Sequence, residues 1–208
     1  MKHLKKIGIL VVAVVALSAV IGVNSASAFT MFNSTVSGAA ISETTLQTHI
    51  FTVTGSEVKC TNITYTGTTG GTTTTSQMVT PKYEGCTAFG LPAHVTVNNC
   101  TYNLTIGTPS GNTTHMERVN AGLPCEITIL AKNIFGECHV EITEQTVNGI
   151  TFTNDGGSAI IVTINAGGIS DHVTESNGVC PLTKGTHTNA TYTGESTITA
   201  SGASISVS

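Results

Sequence analysis

The sequence predicts an all-β fold, an antiparallel β-sandwich or barrel-like sandwich of roughly a dozen strands that is stapled by disulfide bonds. After residue 28, apolar residues alternate with polar ones, and helical spacing is not sustained anywhere. Turn-forming residues separate the alternating segments at intervals of about ten residues, which is typical of short antiparallel strands. Six cysteines lie within the same segments, so covalent links between strands are expected.

Residues 1–28 have the pattern of a secretory signal peptide. Three lysines precede an apolar run from residue 7 to residue 23, and Ala26-Ser27-Ala28 offers the small residues that signal peptidase accepts. An uncleaved membrane anchor is the alternative, but the small residues follow the apolar run directly, as cleavage requires. We therefore expect residues 29–208 to form a single all-β domain that is secreted or held at the cell surface, with no membrane contact after cleavage.

The first predicted strands form a hairpin. Phe51 and Val53 share one strand face, and Gly55-Ser56 predicts a two-residue turn. Val58 and Cys60 continue the alternation on the following strand. The hairpin therefore presents one apolar face to a core.

Apolar positions then change phase at two points. Ile63 and Tyr65 take over after Asn62, and a similar change separates Val97 from Cys100. A β-bulge, or a strand that changes sheets, explains such a change. Between these points, the Thr- and Gly-rich residues 66–76 predict a long flexible hairpin loop.

The second half of the chain continues the alternation. Cysteine, valine and isoleucine alternate with polar residues in 125–129 and 138–142, and further strands are expected near residues 150–153, 160–164, 191–200 and 205–207. Asn154-Asp155-Gly156-Gly157 predicts a hairpin turn. Tyr65 and Tyr102 alternate in phase with apolar neighbours and are therefore expected in the core.

The six cysteines are expected to form three disulfides, because an exported protein meets an oxidising environment. Pairing across a hairpin needs turn-like residues midway between two cysteines, which favours two of the pairs. The third follows by elimination, and the predicted set is Cys60–Cys86, Cys100–Cys125 and Cys138–Cys180. A rival pairing joins Cys125 to Cys138 across a shorter hairpin. A zinc site is not indicated, because the chain has no Cys-x-x-Cys pair.

Charge argues against nucleic acid as a partner. Without its three N-terminal lysines the chain keeps five basic residues against twelve acidic ones, a formal net charge of −7. Five scattered basic residues do not form a patch that follows a phosphate backbone. The six remaining histidines form no His-x-His or His-x-x-x-His pair, so we expect surface histidines, no metal site and no cofactor. Asp171 and His172 are adjacent, but neighbouring strand residues face opposite sides.

No catalytic residue is predicted by a motif. The chain has no Gly-x-Ser-x-Gly nucleophile elbow, and cysteines in disulfides are not nucleophiles. Glu137 and Glu141 share a strand face and, with Glu126 on a neighbouring strand, form an acidic stripe. We interpret this stripe as a solvated outer face, which antiparallel sheets commonly have. His139 is also expected to face solvent.

The chain resembles a group of secreted, Thr-rich actinobacterial proteins of unknown function. The resemblance rests on the cysteine context in residues 49–60, 83–90 and 97–102, which contain Cys60, Cys86 and Cys100. It implies an exported β-rich fold and carries over no functional residue.

These observations favour a non-enzymatic extracellular structural or binding domain. Its expected partners are a polysaccharide, the cell wall or another protein, because a charge-poor, Thr-rich surface offers wide neutral faces. The alternative is a small secreted hydrolase whose site is assembled from scattered polar residues, with Glu126, Glu137, Glu141 and His139 as the candidates.

Overall fold

A computed structural model describes residues 29–108, 111–178 and 180–208. The predicted signal peptide, residues 1–28, lies outside the described residues. Within those ranges the chain forms fourteen strands and no helix, and so no helix that could span a membrane. The strands are β1 (Phe32–Ser34), β2 (Ala40–Val53), β3 (Ser56–Thr68), β4 (Thr73–Thr74), β5 (Ser76–Ala88), β6 (Leu91–Asn98), β7 (Cys100–Thr108), β8 (Gly111–Arg118), β9 (Glu126–Asn133), β10 (Gly136–Thr143), β11 (Thr146–Asp155), β12 (Ala159–Ser176), β13 (Gly185–Ala200) and β14 (Ile205–Val207).

Eleven of these strands form the wall of a closed antiparallel barrel. The long strands β2, β3, β5, β12 and β13 extend through both halves of the wall. Near one end the ring is completed by β7, β8 and β11, and near the other by β6, β9 and β10, so either ring has eight strands. The predicted all-β, disulfide-stapled architecture is confirmed, in the form of a barrel.

The β2–β3 hairpin turns at Thr54-Gly55, one residue earlier than Gly55-Ser56. Both turn residues have positive φ, 46° at Thr54 and 82° at Gly55. Such a pair matches the right-handed twist of two antiparallel strands. Ser56 is consequently the first residue of β3 and pairs with Val53.

The two changes of apolar phase correspond to irregularities in the wall. The β2–β3 register shifts between Ile41 and His49, on the strand that neighbours Ile63. The second change is a strand break and not a bulge: β6 ends at Asn98, and Asn99 has a φ of 51° before β7 begins. A residue in the left-handed conformation lets the chain change direction between two strands, and asparagine tolerates this conformation well.

Residues 66–76 are not the predicted flexible loop. β3 continues to Thr68, Thr69 is 6% exposed, and β4 pairs with β1. The strands β4, β1 and β14 form a small sheet that covers one end of the barrel. It is attached by an edge-to-face contact between Phe32 and Phe152, whose ring centroids are 5.0 Å apart, and by two hydrogen bonds between the Asn154 side chain and the Val207 backbone.

Three disulfides cross-link the barrel: Cys60–Cys86, Cys100–Cys125 and Cys138–Cys180. The first joins directly paired residues of β3 and β5. The second ties the start of β7 to the residue before β9, and the third ties β10 to the connection between β12 and β13. The rival Cys125–Cys138 pairing does not form. Three disulfides in one domain indicate an oxidising environment.

Candidate functional site

The lumen of the barrel contains a cavity of about 80 Å³. Each of the eleven wall strands contributes at least one lining side chain, so the cavity lies inside the barrel and not in a surface groove. One buried water needs roughly 10–15 Å³, and the cavity therefore accommodates several waters or one small organic molecule. Its apolar lining consists of Phe51, Val58, Cys60, Val95, Leu104, Met116, Ile127, Ile129, Ile142, Val147, Ile150, Val162, Ile164 and Ile169.

All four tyrosines of the chain line this cavity. The hydroxyls of Tyr83 and Tyr102 are 2.7 Å apart, and the Tyr192 hydroxyl donates a longer hydrogen bond of 3.4 Å to Tyr83. Tyr65 packs edge-on against Tyr102, with ring centroids 6.4 Å apart. Burial raises the pKa of Tyr102 to about 12 and the pKa values of the other three well above the ordinary value, so all four phenols are protonated at neutral pH.

Tyr65 and Tyr102 are buried, as their phase predicts, with exposures of 2% and 8%. The sequence does not indicate that Tyr83 and Tyr192 join them. Those two residues lie on strands that are distant in sequence, and only the closed barrel brings their hydroxyls together.

His49 extends the tyrosine cluster from β2. Its Nδ1 lies 2.7 Å from the Tyr192 hydroxyl and its Nε2 lies 3.0 Å from the Ser196 hydroxyl. Burial lowers the pKa of His49 to about 4, so the imidazole is neutral at neutral pH. The expectation of a surface histidine is wrong here, since only 1% of His49 is exposed. The signal was present in the sequence: His49 alternates in phase with Phe51 and Val53 and therefore faces the core.

A glycine on β13 makes room for the imidazole. Gly194 lies between Tyr192 and Ser196 on the inward face of the strand, and a Cβ at this position would overlap the His49 ring. Ser196 is 1% exposed and is not among the described residues that line the cavity. Its hydroxyl therefore orients the imidazole instead of facing a molecule in the cavity.

Glu43 is a buried carboxyl group beside this cluster. It is 8% exposed, and neither carboxylate oxygen has a hydrogen-bond partner in the part of the chain that the structure describes. The nearby hydroxyls of Ser196 and Thr45 are already engaged, with His49 and with the Ile63 backbone. Burial raises the pKa of Glu43 to about 7, and the polar groups that lie closest to the carboxyl group, Ser196, Thr45 and the Tyr65 backbone, limit the rise.

Thr114 supplies an isolated polar group to the cavity wall. It lies on β8, is 5% exposed, and its hydroxyl has no hydrogen-bond partner within residues 29–108, 111–178 and 180–208. A buried polar atom without a partner is rare in folded proteins, because leaving it unpaired costs free energy. A water or a ligand in the cavity would satisfy it.

A separate carboxyl–imidazole contact, between a buried aspartate and a histidine, lies on β12 and β13. The side chain of Asp171 is fully buried, and its Oδ2 is 3.1 Å from Nδ1 of His187, which pairs with it across the strands. Burial raises the pKa of Asp171, while His187 opposes the rise. Asp171 is buried and His172 is exposed, as the strand alternation predicts.

The sequence-derived hydrolase candidates lie on the outer face of β9 and β10. Glu126, Glu137, Glu141 and His139 are partly exposed, whereas the residues that alternate with them, such as Ile127 and Val140, are buried. His139 Nε2 and Glu141 Oε1 are 4.0 Å apart. These four residues thus form a surface stripe on the side of the sheet opposite to the cavity.

Among the described residues, no group of three or more histidine, cysteine, aspartate or glutamate side chains is arranged to hold a metal ion. The cavity instead combines an apolar wall with hydroxyl groups and one neutral imidazole, which suits non-covalent binding of an organic molecule. No protein-family model, no curated protein and no solved structure matches this chain.

Proposed function

We propose that this protein is a non-enzymatic extracellular binding protein whose barrel holds one small, mostly apolar molecule. The cavity in the lumen carries the proposal. Eight strands enclose an interior that is either filled by side chains or able to hold one small ligand, and here a void of about 80 Å³ remains. Apolar walls with a few convergent polar groups are typical of small-molecule sites.

The disulfides and the sequence of residues 1–28 support an extracellular location. Three disulfides are most stable outside the reducing cytoplasm. The lysines, apolar run and small residues of 1–28 favour export. Together they support a secreted or cell-surface protein.

Binding inside the barrel is better supported than binding of a polysaccharide on the outer surface. Sugar rings stack on exposed aromatic side chains, whereas all four tyrosines line the cavity and the chain has no tryptophan. Among the described residues only one aromatic side chain, that of Phe135, is strongly exposed. The hydrolase alternative is also less supported, since its four candidate residues lie outside the barrel and Ser196 is shielded from the cavity.

Tyrosine fluorescence offers a direct test. With no tryptophan and every tyrosine in the cavity wall, the intrinsic emission reports on this one site. We would titrate the oxidised protein with linear alcohols from 1-propanol to 1-octanol, which do not absorb at the excitation wavelength. Affinity should rise about fourfold for each added methylene until the cavity is full, because a buried methylene contributes about 0.8 kcal/mol.

A blocking variant separates cavity binding from surface binding. Val95→Phe places a larger side chain in the cavity and should abolish the saturable response, whereas His94→Phe adds the same ring to the outer face and should not. Val147→Phe blocks the cavity from another strand and replaces Val95→Phe if that variant does not fold. Absence of a saturable response in the wild type, or an unchanged response in a folded blocking variant, would refute the proposal.

A further inference from the structure

The cavity wall carries no formal charge. No lysine, arginine, aspartate or glutamate is among the described residues that line it, and its ionisable groups are His49 and the four tyrosines. At neutral pH the imidazole is unprotonated and the phenols are protonated. A charged ligand group would therefore enter a site without a counter-ion.

The basic residues are too far outside to supply one. Four of the five basic residues after residue 28 are paired with glutamates on the outer surface: Lys59 with Glu57, Lys82 with Glu84, Arg118 with Glu144 and Lys184 with Glu175. The fifth, Lys132, is exposed. Glu43 is a buried acid outside the cavity wall, and its negative charge raises the pKa of Tyr192. Electrostatics inside the barrel consequently disfavour an anion.

The polar groups of the wall nevertheless provide a free hydrogen-bond donor. Hydrogen bonds join Tyr83 to Tyr102 and Tyr192, and Tyr192 to His49, so these groups have partners within the wall. The Thr114 hydroxyl, in contrast, has no partner among the described residues and can donate to an acceptor in the cavity.

We infer that the molecule held in the barrel is uncharged and carries a hydrogen-bond acceptor, as an alcohol, ketone or amide does, and that the cavity rejects carboxylates of the same size. This inference rests on the proposed function and specifies its ligand class. Desolvating a carboxylate costs more free energy than one hydroxyl donor returns, whereas a neutral acceptor gains that hydrogen bond at a small desolvation cost.

The test compares two isosteric molecules. Pentanamide and pentanoate have the same number of non-hydrogen atoms and differ in charge, so size and apolar area are matched. We would measure both affinities at pH 8 by tyrosine emission, with ligand-observed NMR as an independent signal. Pentanamide should bind at least tenfold more tightly than pentanoate. Equal or tighter binding of pentanoate would overturn the inference.

A single hydroxyl deletion tests the acceptor requirement. Thr114→Val removes the unpartnered hydroxyl at nearly constant volume. It should weaken pentanamide about fivefold, which is the loss expected for one hydrogen bond, and leave the affinity for cyclopentane unchanged. An unchanged pentanamide affinity would overturn the acceptor requirement. If neither the alcohols nor pentanamide bind, the proposed function itself fails, whereas strong pentanoate binding contradicts only the ligand class.

Discussion

Glu43 is a residue whose environment conflicts with its charge. Its carboxyl group is buried with no hydrogen-bond partner in the described residues, and burial raises its pKa from 4.5 to about 7. The folded state thus holds the proton more tightly than the unfolded state does. The resulting stabilisation is complete below pH 4.5 and is lost as the pH rises through 7.

We predict that Glu43→Gln abolishes this loss. Relative to the wild type, the free energy of unfolding of the variant should increase by about 2 kcal/mol between pH 4.5 and 8, since one pKa unit corresponds to about 1.4 kcal/mol and residual screening reduces the total. Urea unfolding of both proteins over this range measures the difference.

His49 contributes to the pH dependence of stability in the opposite direction, because its pKa is lowered and its contribution is lost as the pH falls from 6.5 to 4. It is present in both proteins and cancels. A difference that does not vary with pH would contradict the prediction.

Gly194 is the second residue with a specific steric role. Gly194→Ala places a methyl group where the His49 ring lies, so the ring must move and its contacts with Tyr192 and Ser196 must break. We expect the free energy of unfolding to fall by about 1–3 kcal/mol, the usual cost of overpacking, and the tyrosine emission to change. Thermal unfolding and fluorescence measure both effects.

Gly167→Ala is the matched control for this substitution. Gly167 lies on β12, and a Cβ there meets only a Thr191 methyl at 4.0 Å. The melting temperature and tyrosine emission of the Gly167→Ala variant should stay close to those of the wild type. Equal effects of the two substitutions would show that Gly194 has no special relation to His49.

Asn99 joins the two halves of the barrel wall. Its side-chain amide donates to the carbonyls of Asn120 and Leu123, at 3.0 and 2.7 Å, and its Oδ1 accepts a hydrogen bond from the Asn120 backbone at 2.8 Å. The connection between β8 and β9 is thus attached to the point where β6 becomes β7. The Cys100–Cys125 disulfide reinforces the same point.

Two substitutions distinguish the contribution of the Asn99 side chain to stability from the contribution of its backbone conformation. Asn99→Gly keeps the left-handed φ and loses the hydrogen bonds, whereas Asn99→Ala also introduces strain. We expect the free energy of unfolding to fall by about 1–2 kcal/mol in Asn99→Gly and by about 1 kcal/mol more in Asn99→Ala. Denaturant unfolding ranks the variants, and limited proteolysis should cut residues 119–124 faster in both. If both variants match the wild type in stability and cleavage, the side chain does not secure this connection.

Period-two alternation predicts the β class of the complete barrel because it depends only on neighbouring residues. It did not distinguish a barrel from a sandwich, since closure depends on pairing between β2 and β13, which local patterns do not encode. The cavity likewise has features that local sequence patterns predict and features that depend on strand pairing. The burial of His49 follows from its phase with Phe51, but its contact with Tyr192 requires a register between strands that are 143 residues apart.

The hydrogen bonds from His49 to Tyr192 and Ser196 cross the strand pair that closes the barrel, which has a consequence for folding. Closing a wall between segments so distant in sequence is entropically costly and slow, while hairpins such as β2–β3 form early. The complete cavity therefore exists only after the last pairing step. We expect the chain to become able to bind at the end of folding, and a bound molecule to slow unfolding by holding that final strand pair together.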